Sequence, residues 1–223
     1  MMQETEQIKA RYEKRKNNPD YPGKNILFVE YVIKERESVY RKIIDDNFKT
    51  NRNLKILEIG AGEGANIKFF QTAGLKDGNI FASELLPERA KVLRDKFPGI
   101  TVAEGDALQL NFDEQFDIVF QSLVFTSILD DDFKVKLAQK MWSMLKPGGI
   151  ILWYDFRFNN PSNKDVKGVG KTEIMKLFAS SAEIIFFNVT LAPPIGRRIG
   201  KLYNIINSVF PFLRTHIIAC IKK

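Results

Sequence analysis

The sequence predicts an α/β domain built on a mostly parallel sheet, and three observations carry that prediction. Apolar runs of strand length alternate with segments of helical period along most of the chain. The first such run, Leu54, Ile56, Leu57 and Ile59, leads straight into Gly60, Gly62 and Gly64 and then into Ile67, Phe69 and Phe70 at helical spacing. Finally, 223 residues suit one α/β domain, which at this size buries roughly 70% of its unfolded surface, and leave little room for two.

Composition narrows the class. The chain is 44% hydrophobic and 27% charged, the balance of a globular protein, and no apolar run reaches the roughly 18 residues that a spanning helix needs. Its start, MMQETEQIKARYEKRK, has no apolar core of the signal-peptide kind, and a single cysteine, Cys220, cannot form an internal disulfide. A reducing, cytoplasmic setting is the expectation. The formal charge of +7 favours encounter with anionic partners but is modest for a dedicated nucleic-acid binder.

Residues 1–18 mix Lys9, Arg11, Lys14, Arg15 and Lys16 with Glu4, Glu6 and Glu13, as in a solvated helix or a frayed terminus. The turn Asn18-Pro19-Asp20-Tyr21-Pro22-Gly23 stops it. From Asn25 to about Phe48, Ile26, Val29, Val32 or Ile33, Tyr40 and Ile43 or Ile44 recur at helical spacing, giving one long helix or two short ones. Residues 1–50 thus read as a helical cap on a domain spanning 51–223, with Tyr21, Tyr31 and Arg36 as candidate lid residues.

After the glycine turn, residues 79–84 (NIFASE) form the second strand, ending in Glu84, 24 residues beyond Gly60. Pro87 opens a helix that Pro98-Gly99 ends. Residues 100–103 make the third strand, with Glu104-Gly105-Asp106-Ala107 just past it, and 116–121 (FDIVFQ) the fourth, from which 122–129 leave. Ligands of open α/β sheets bind outside the carboxyl ends of the strands, so Gln121, Ser122 and Phe125 are placed to touch one. Asp130, Asp131 and Asp132 read as the acidic start of a helix reaching Leu145, not as metal ligands. Lys146-Pro147-Gly148-Gly149 breaks that helix before a fifth strand over 150–155. Gly170-Lys171-Thr172 imitates the end of a phosphate-binding loop, but Asp165 stands where its first glycine belongs and no strand runs into it.

The turn itself permits two readings. Gly60-x-Gly62-x-x-Ala65 meets the relaxed dinucleotide fingerprint, whereas Glu58-x-Gly60-x-Gly62-x-Gly64 resembles the first motif of the class I S-adenosylmethionine-dependent methyltransferases. The later order resembles that family step by step: Glu84 ending strand two, GDA at 105–107, FDIVFQ at 116–121, and LKPGG at 145–149 before an apolar strand. No proton-relay pair of the kind a nicotinamide dehydrogenase needs stands beside strand five. The resemblance covers residues 54–156 and implies a Rossmann-like, seven-stranded, mostly parallel sheet whose last strand is antiparallel, with helices on both faces. Residues 183–191 would be strand six and 215–221 strand seven.

The resemblance also implies S-adenosyl-L-methionine as cofactor and assigns roles. Glu58 opens the motif; Gly60, Ala61 and Gly62 border the methionine part; Glu84 takes the ribose; Leu85 covers the adenine; Asp106 and Ala107 meet its edge; and Gln121 touches the cofactor from the end of strand four. On the acceptor side lie Tyr154, Asp155, Arg157, Asn159 and Asn160, the last three in a fifteen-residue stretch without periodicity. Asp155 is the first candidate base and His216, the sole histidine, the second. The run at 153–157 and LAPPIGRR at 191–198 loosely resemble methyltransferases encoded beside bacterial surface-glycan enzymes. A small-molecule, saccharide or glycolipid hydroxyl is therefore the expected acceptor, with a nucleic-acid methyltransferase and an inactive cofactor-binding module as alternatives. Ile195, Ile199, Leu202, Ile205 or Ile206 and Val209 fall on one helical face with Arg197, Arg198 and Lys201 elsewhere, a pattern that packs on its own sheet or lies on an anionic membrane.

Overall fold

The computed structural model describes residues 4–16, 26–49, 53–112 and 115–223. The turn at 18–23, including the lid candidate Tyr21, lies outside them. Parallel strands β1 (Ile56–Ile59), β2 (Ile80–Glu84), β3 (Thr101–Glu104), β4 (Phe116–Ser122) and β5 (Leu145–Phe156) are joined by β6 (Glu183–Leu191) and β7 (Arg214–Lys222). Their order is β3-β2-β1-β4-β5-β7-β6, and β7 runs antiparallel to both neighbours. The central strands read as nearly continuous apolar runs because both faces are covered.

One face carries Ile56, Phe120, Leu152 and Ile218 and packs under α2 (Ile26–Phe48) and α3 (Ile67–Thr72) through Tyr40, Ile43, Ile44, Ile67 and Phe70. The other carries Leu57, Val119, Trp153 and Ala219 and packs on α5 (Asp131–Ser143) and α6 (Lys171–Leu177) through Leu137, Met141 and Ile174. Helix α2 is one continuous helix and belongs to the first core, so residues 26–48 share that core with the sheet. Helix α1 (Glu4–Lys16) reaches the second core through Ile8. Helix α4 (Pro87–Lys96) follows β2 with Pro87 in its first turn.

Two boundaries differ from the sequence expectation. Strand β5 begins at Leu145, so Lys-Pro-Gly-Gly lies within it; a register shift against β4 between Phe116 and Ile118, with Gly148 at φ +77°, accommodates the tetrapeptide near the strand's amino end. The predicted amphipathic segment over 195–209 is not one helix. It divides into a turn, α7 (Pro193–Gly196), a 3-10 turn over Gly200–Leu202 and α8 (Tyr203–Val209), with Gly200 at φ +52° marking the break.

Candidate cofactor site

A cavity of about 230 Å3 opens at the carboxyl ends of β1 to β4, where the topology reverses direction between β1 and β4. Gly60, Glu84, Leu85, Asp106 and Ala107 line it, which brings together five of the nine residues assigned to the cofactor from sequence. The turn above β1 is held by Ala61 N, which donates to Ser83 O at 2.9 Å. Gly60 stands at φ +68°, and a Cβ there would lie 2.7 Å from Val124 Cγ2; the turn and the β4 loop touch because the side chain is missing. Gly62, at φ +59°, faces open space within 4 Å of where its Cβ would be.

The two acids are pre-set. Glu84 accepts from Gly62 N at 2.7 Å through Oε2 and from Leu86 N at 2.9 Å through Oε1. Asp106 caps its own turn through Leu108 N at 2.9 Å and accepts from Thr5 Oγ1 at 2.7 Å. Each carboxylate oxygen keeps a lone pair for a ligand donor. The carboxylates sit at the ends of neighbouring strands, where Glu84 pairs with Glu104 in register and Gly105 N donates to Glu84 O.

Sequence reasoning missed the roof. Thr5, Ile8 and Tyr12 of α1 line the cavity, spaced three and four residues apart on one face. That spacing was the available signal, submerged in a segment dominated by charge. Helix α1 is tied down by Glu4, which accepts from Leu129 N at 2.8 Å and Arg11 at 2.6 Å, and by Arg11 donating to Ser127 O at 3.1 Å. Arg89 lies over the Tyr12 ring, 4.7 Å from its centroid. Leu123, Val124, Ser127 and Ile128 of the β4 loop and Phe133 and Leu137 of α5 complete the wall.

The remaining assigned residues stand behind that wall. Gln121 is fully buried: Nε2 donates to Asp155 Oδ2 at 3.0 Å and Oε1 accepts from Val124 N at 3.0 Å. Asp155 also has no exposed surface, and Thr126 Oγ1 donates to its Oδ1 at 2.7 Å. Burial pushes the Asp155 carboxyl up to about 7, against the Thr126 and Gln121 hydrogen bonds. His216 stacks on Tyr154 at 5.2 Å and shares Nδ1 with Thr215 Oγ1 at 3.0 Å; burial, then the charge of Arg36, pushes it down to about 4. Neither base candidate lines the cavity.

Glu58 accepts from Asn66 Nδ2 at 2.7 Å through Oε1, while its buried Oε2 has no partner; burial pushes it up to about 8, opposed by the Asn66 bond. The same polar region holds Tyr40 OH and Arg36 Nε, also buried without partners. Arg36 lies over the Tyr154 ring at 4.7 Å; burial pushes the Tyr154 phenol up, and the Arg36 charge opposes that rise there and at Glu58. Among the acceptor-side candidates, Asn159 accepts from Gly168 N and Asn160 from Ser162 N, so both shape their own loop. Arg157 donates to Arg214 O at 2.8 Å, and Asp130 caps α5 by accepting from Phe133 N.

Comparison with known proteins agrees with this geometry. Residues 56–149 match a family described as a methyltransferase domain. A thiol S-methyltransferase of Mus musculus is 26% identical over 129 residues, 55% of this chain and 52% of the relative. A ubiquinone/menaquinone biosynthesis C-methyltransferase of Idiomarina loihiensis is 26% identical over 125 residues, 53% and 49%. The chain thus spans about half the length of these curated relatives. Among solved structures, the N-methyltransferase NodS of Bradyrhizobium japonicum WM9, in complex with S-adenosyl-L-homocysteine, superposes with a TM-score of 0.65 at 15% identity, covering 99% of this chain and 98% of that one. An S-adenosylmethionine-dependent methyltransferase of Mesorhizobium loti gives 0.62 at 13% identity, covering 86% and 100%.

Proposed function

We propose that this protein transfers a methyl group from S-adenosyl-L-methionine to a small acceptor, a reading supported by the match of residues 56–149 to a methyltransferase-domain family and by the fold shared with NodS. The observation that supports it most is the pairing of Glu84 and Asp106 around one cavity beneath the glycine turn. A ribose diol needs an acid at the end of β2, and an adenine amine needs an acceptor one strand further out. Thr5, Ile8 and Tyr12 roof that half of the site. The methionine end, an ammonium beside a carboxylate, fits the unpartnered Glu58 Oε2 and the cation Arg36, with Tyr40 OH as a further donor.

The cofactor, when bound, supplies an electrophilic methyl on a sulfonium sulfur. The chain's contribution is to hold the nucleophile in line and keep water out, a form of orientation that supplies about 7 to 11 kcal/mol. Gln121, Thr126 and Asp155 together fix the β4 loop that carries Leu123 and Val124 into the wall. Asp155 then acts by positioning, because Gln121 and Thr126 engage both its oxygens and it lies outside the cavity lining. His216, held near pKa 4, is neutral at physiological pH and too weak a base to drive deprotonation.

For the acceptor we favour a saccharide or glycolipid hydroxyl in a cytoplasmic setting. The relatives named above act on sulfur, carbon and nitrogen, so the acceptor atom rests on the sequence resemblance alone. A nucleic-acid acceptor is the weaker reading, since the chain after β4 runs Gln121-Ser122-Leu123-Val124 and has no Asn-Pro-Pro-Tyr-like tetrapeptide. Calorimetric titration with S-adenosyl-L-homocysteine, with NAD as control, tests the core of the proposal. Micromolar binding of the first alone is expected; binding of NAD alone overturns it, and binding of neither assigns the fold to an inactive module.

A further inference from the structure

The segment between β6 and β7 packs Ile199, Tyr203, Ile206 and Leu213 inward and leaves Leu202, Ile205, Val209, Phe210 and Phe212 exposed. Its inner side is fixed to α2 by a polar anchor: Glu35 accepts from Tyr203 OH at 2.9 Å, from Asn207 Nδ2 at 2.7 Å and from Thr190 N at 3.0 Å. Tyr203 also stacks on Tyr31 at 5.2 Å and meets Phe28 edge-on at 5.9 Å, and Arg214 Nε donates to Asn207 Oδ1 at 2.9 Å. With Tyr203 and Asn207 turned in, one helical turn apart, Leu202, Ile205 and Val209 must turn out.

They do so almost completely. Leu202 is 54% exposed, Ile205 60%, Val209 61% and Phe212 71%, and at the start of the adjoining α2 Ile26 is 70% exposed. Folding into one amphipathic helix against the sheet would have buried Leu202, Ile205 and Val209. The break at Gly200 and the Glu35 anchor prevent that. A group of large apolar side chains left in water on a rigid platform marks an interaction surface.

Charge identifies the partner. Arg198 and Lys201 are exposed beside this surface, and the sequence from 184 to 223 contains no aspartate or glutamate. On α2, Glu30 has Lys34 four residues on, and Glu35 is taken up by Tyr203, Asn207 and Thr190 N. We infer that the face formed by α8, the Phe210–Leu213 turn and the start of α2 docks on an anionic lipid bilayer. Its aliphatic and aromatic side chains enter the headgroup boundary while Arg198 and Lys201 meet lipid phosphates. A second copy is a poorer occupant, because a two-fold contact would set these cations against one another and residues 184–223 supply no acid to pair them. A nucleic acid would match the cations but leave the apolar side chains without a counterpart. This inference is independent of methyl transfer: it concerns where the chain sits.

Sedimentation with vesicles of phosphatidylcholine, with and without about one quarter phosphatidylglycerol, tests it without cofactor or acceptor. Binding to the anionic vesicles alone is expected, weakening at high salt. The double variant Arg198→Gln, Lys201→Gln should bind about thirtyfold less tightly, from about 1 kcal/mol per cation near such a surface. The double variant Ile205→Ser, Phe212→Ser should lose binding even at low salt while nearly keeping its melting temperature, since both side chains are mostly exposed and Phe212 touches the exposed Phe210 ring. No binding to either vesicle, or binding unchanged in both variants, overturns the inference. So does a dimer that Ile205→Ser, Phe212→Ser converts to monomer, which would give the face to a second copy.

Discussion

Gln121 and Asp155, from the ends of neighbouring strands, share a hydrogen bond of 3.0 Å while neither exposes any surface. The other end of the Gln121 amide holds Val124 N, and Thr126 holds the second Asp155 oxygen. The pair is therefore a buried strut under the loop that walls the cavity, and a carboxyl group there costs most when ionised.

That cost is measurable as a pH dependence. The folded pKa of Asp155, about 7, lies above its ordinary value of 3.8, so its stabilising contribution is full below pH 3.8 and is lost as pH rises through about 7. The difference of about three units corresponds to about 4 kcal/mol. Asp155→Asn cannot ionise. Its melting temperature is expected to be lower at acid pH, because an amide donor would face Gln121 Nε2, yet to fall less steeply than the parent's between pH 5 and 8. Thermal unfolding across that range reads it, and parallel slopes would refute the ionisation. Comparing the two proteins cancels the separate slope from Glu58, which titrates at about 8.

Glu84→Ala should weaken S-adenosyl-L-homocysteine binding by about 1 to 3 kcal/mol, the cost of leaving hydroxyl donors unpaired. The substitution also frees Gly62 N and Leu86 N, so a drop in melting temperature of a few degrees should accompany it. Unchanged affinity by calorimetry would remove Glu84 from the ribose site.

Arg36→Met separates the two ends of the cofactor. Its affinity for S-adenosyl-L-homocysteine should fall about tenfold or more, as for a lost charged hydrogen bond of about 1.5 to 3 kcal/mol. Its affinity for 5′-methylthioadenosine, which lacks the amino-acid end, should stay within about twofold. Equal losses for the two ligands would show that Arg36 supports the fold and not the carboxylate.

Gly60→Ala should destabilise by two separable routes. The new Cβ would stand 2.7 Å from Val124 Cγ2, and alanine at φ +68° is strained by about 1 kcal/mol or more. Adding Val124→Ala removes the contact but not the backbone strain. The double variant should therefore recover part of the lost melting temperature; complete recovery would mean that the left-handed conformation costs nothing there.

Much of this protein was legible before its coordinates. The strands β1 to β4 begin and end within a residue or two of expectation because each is a short apolar run bounded by glycine, proline or an acid. Glu84 and Asp106, singled out by the resemblance, line one cavity because strand direction puts strand-end acids on the ligand side of a parallel sheet. Lys-Pro-Gly-Gly was misplaced because an irregular pairing at the start of β5 tolerates residues that local propensity excludes from strands. The α1 roof was missed because Thr5, Ile8 and Tyr12 carry meaning only once the β4 loop is beneath them.

By itself, then, the sequence determined the order of elements, the glycine turn and the acids at the strand ends, all of which follow from local periodicity and chain direction. Only the tertiary structure decided which side chains share a space. It turned Asp155 and Gln121 from the cavity into a strut, left Arg36 Nε and Glu58 Oε2 without partners, and set Leu202, Ile205 and Val209 in water. The physical reason is common to all three. Burial and pairing depend on residues tens to over a hundred positions apart, as where Glu35 anchors Tyr203, and no local pattern records those distances.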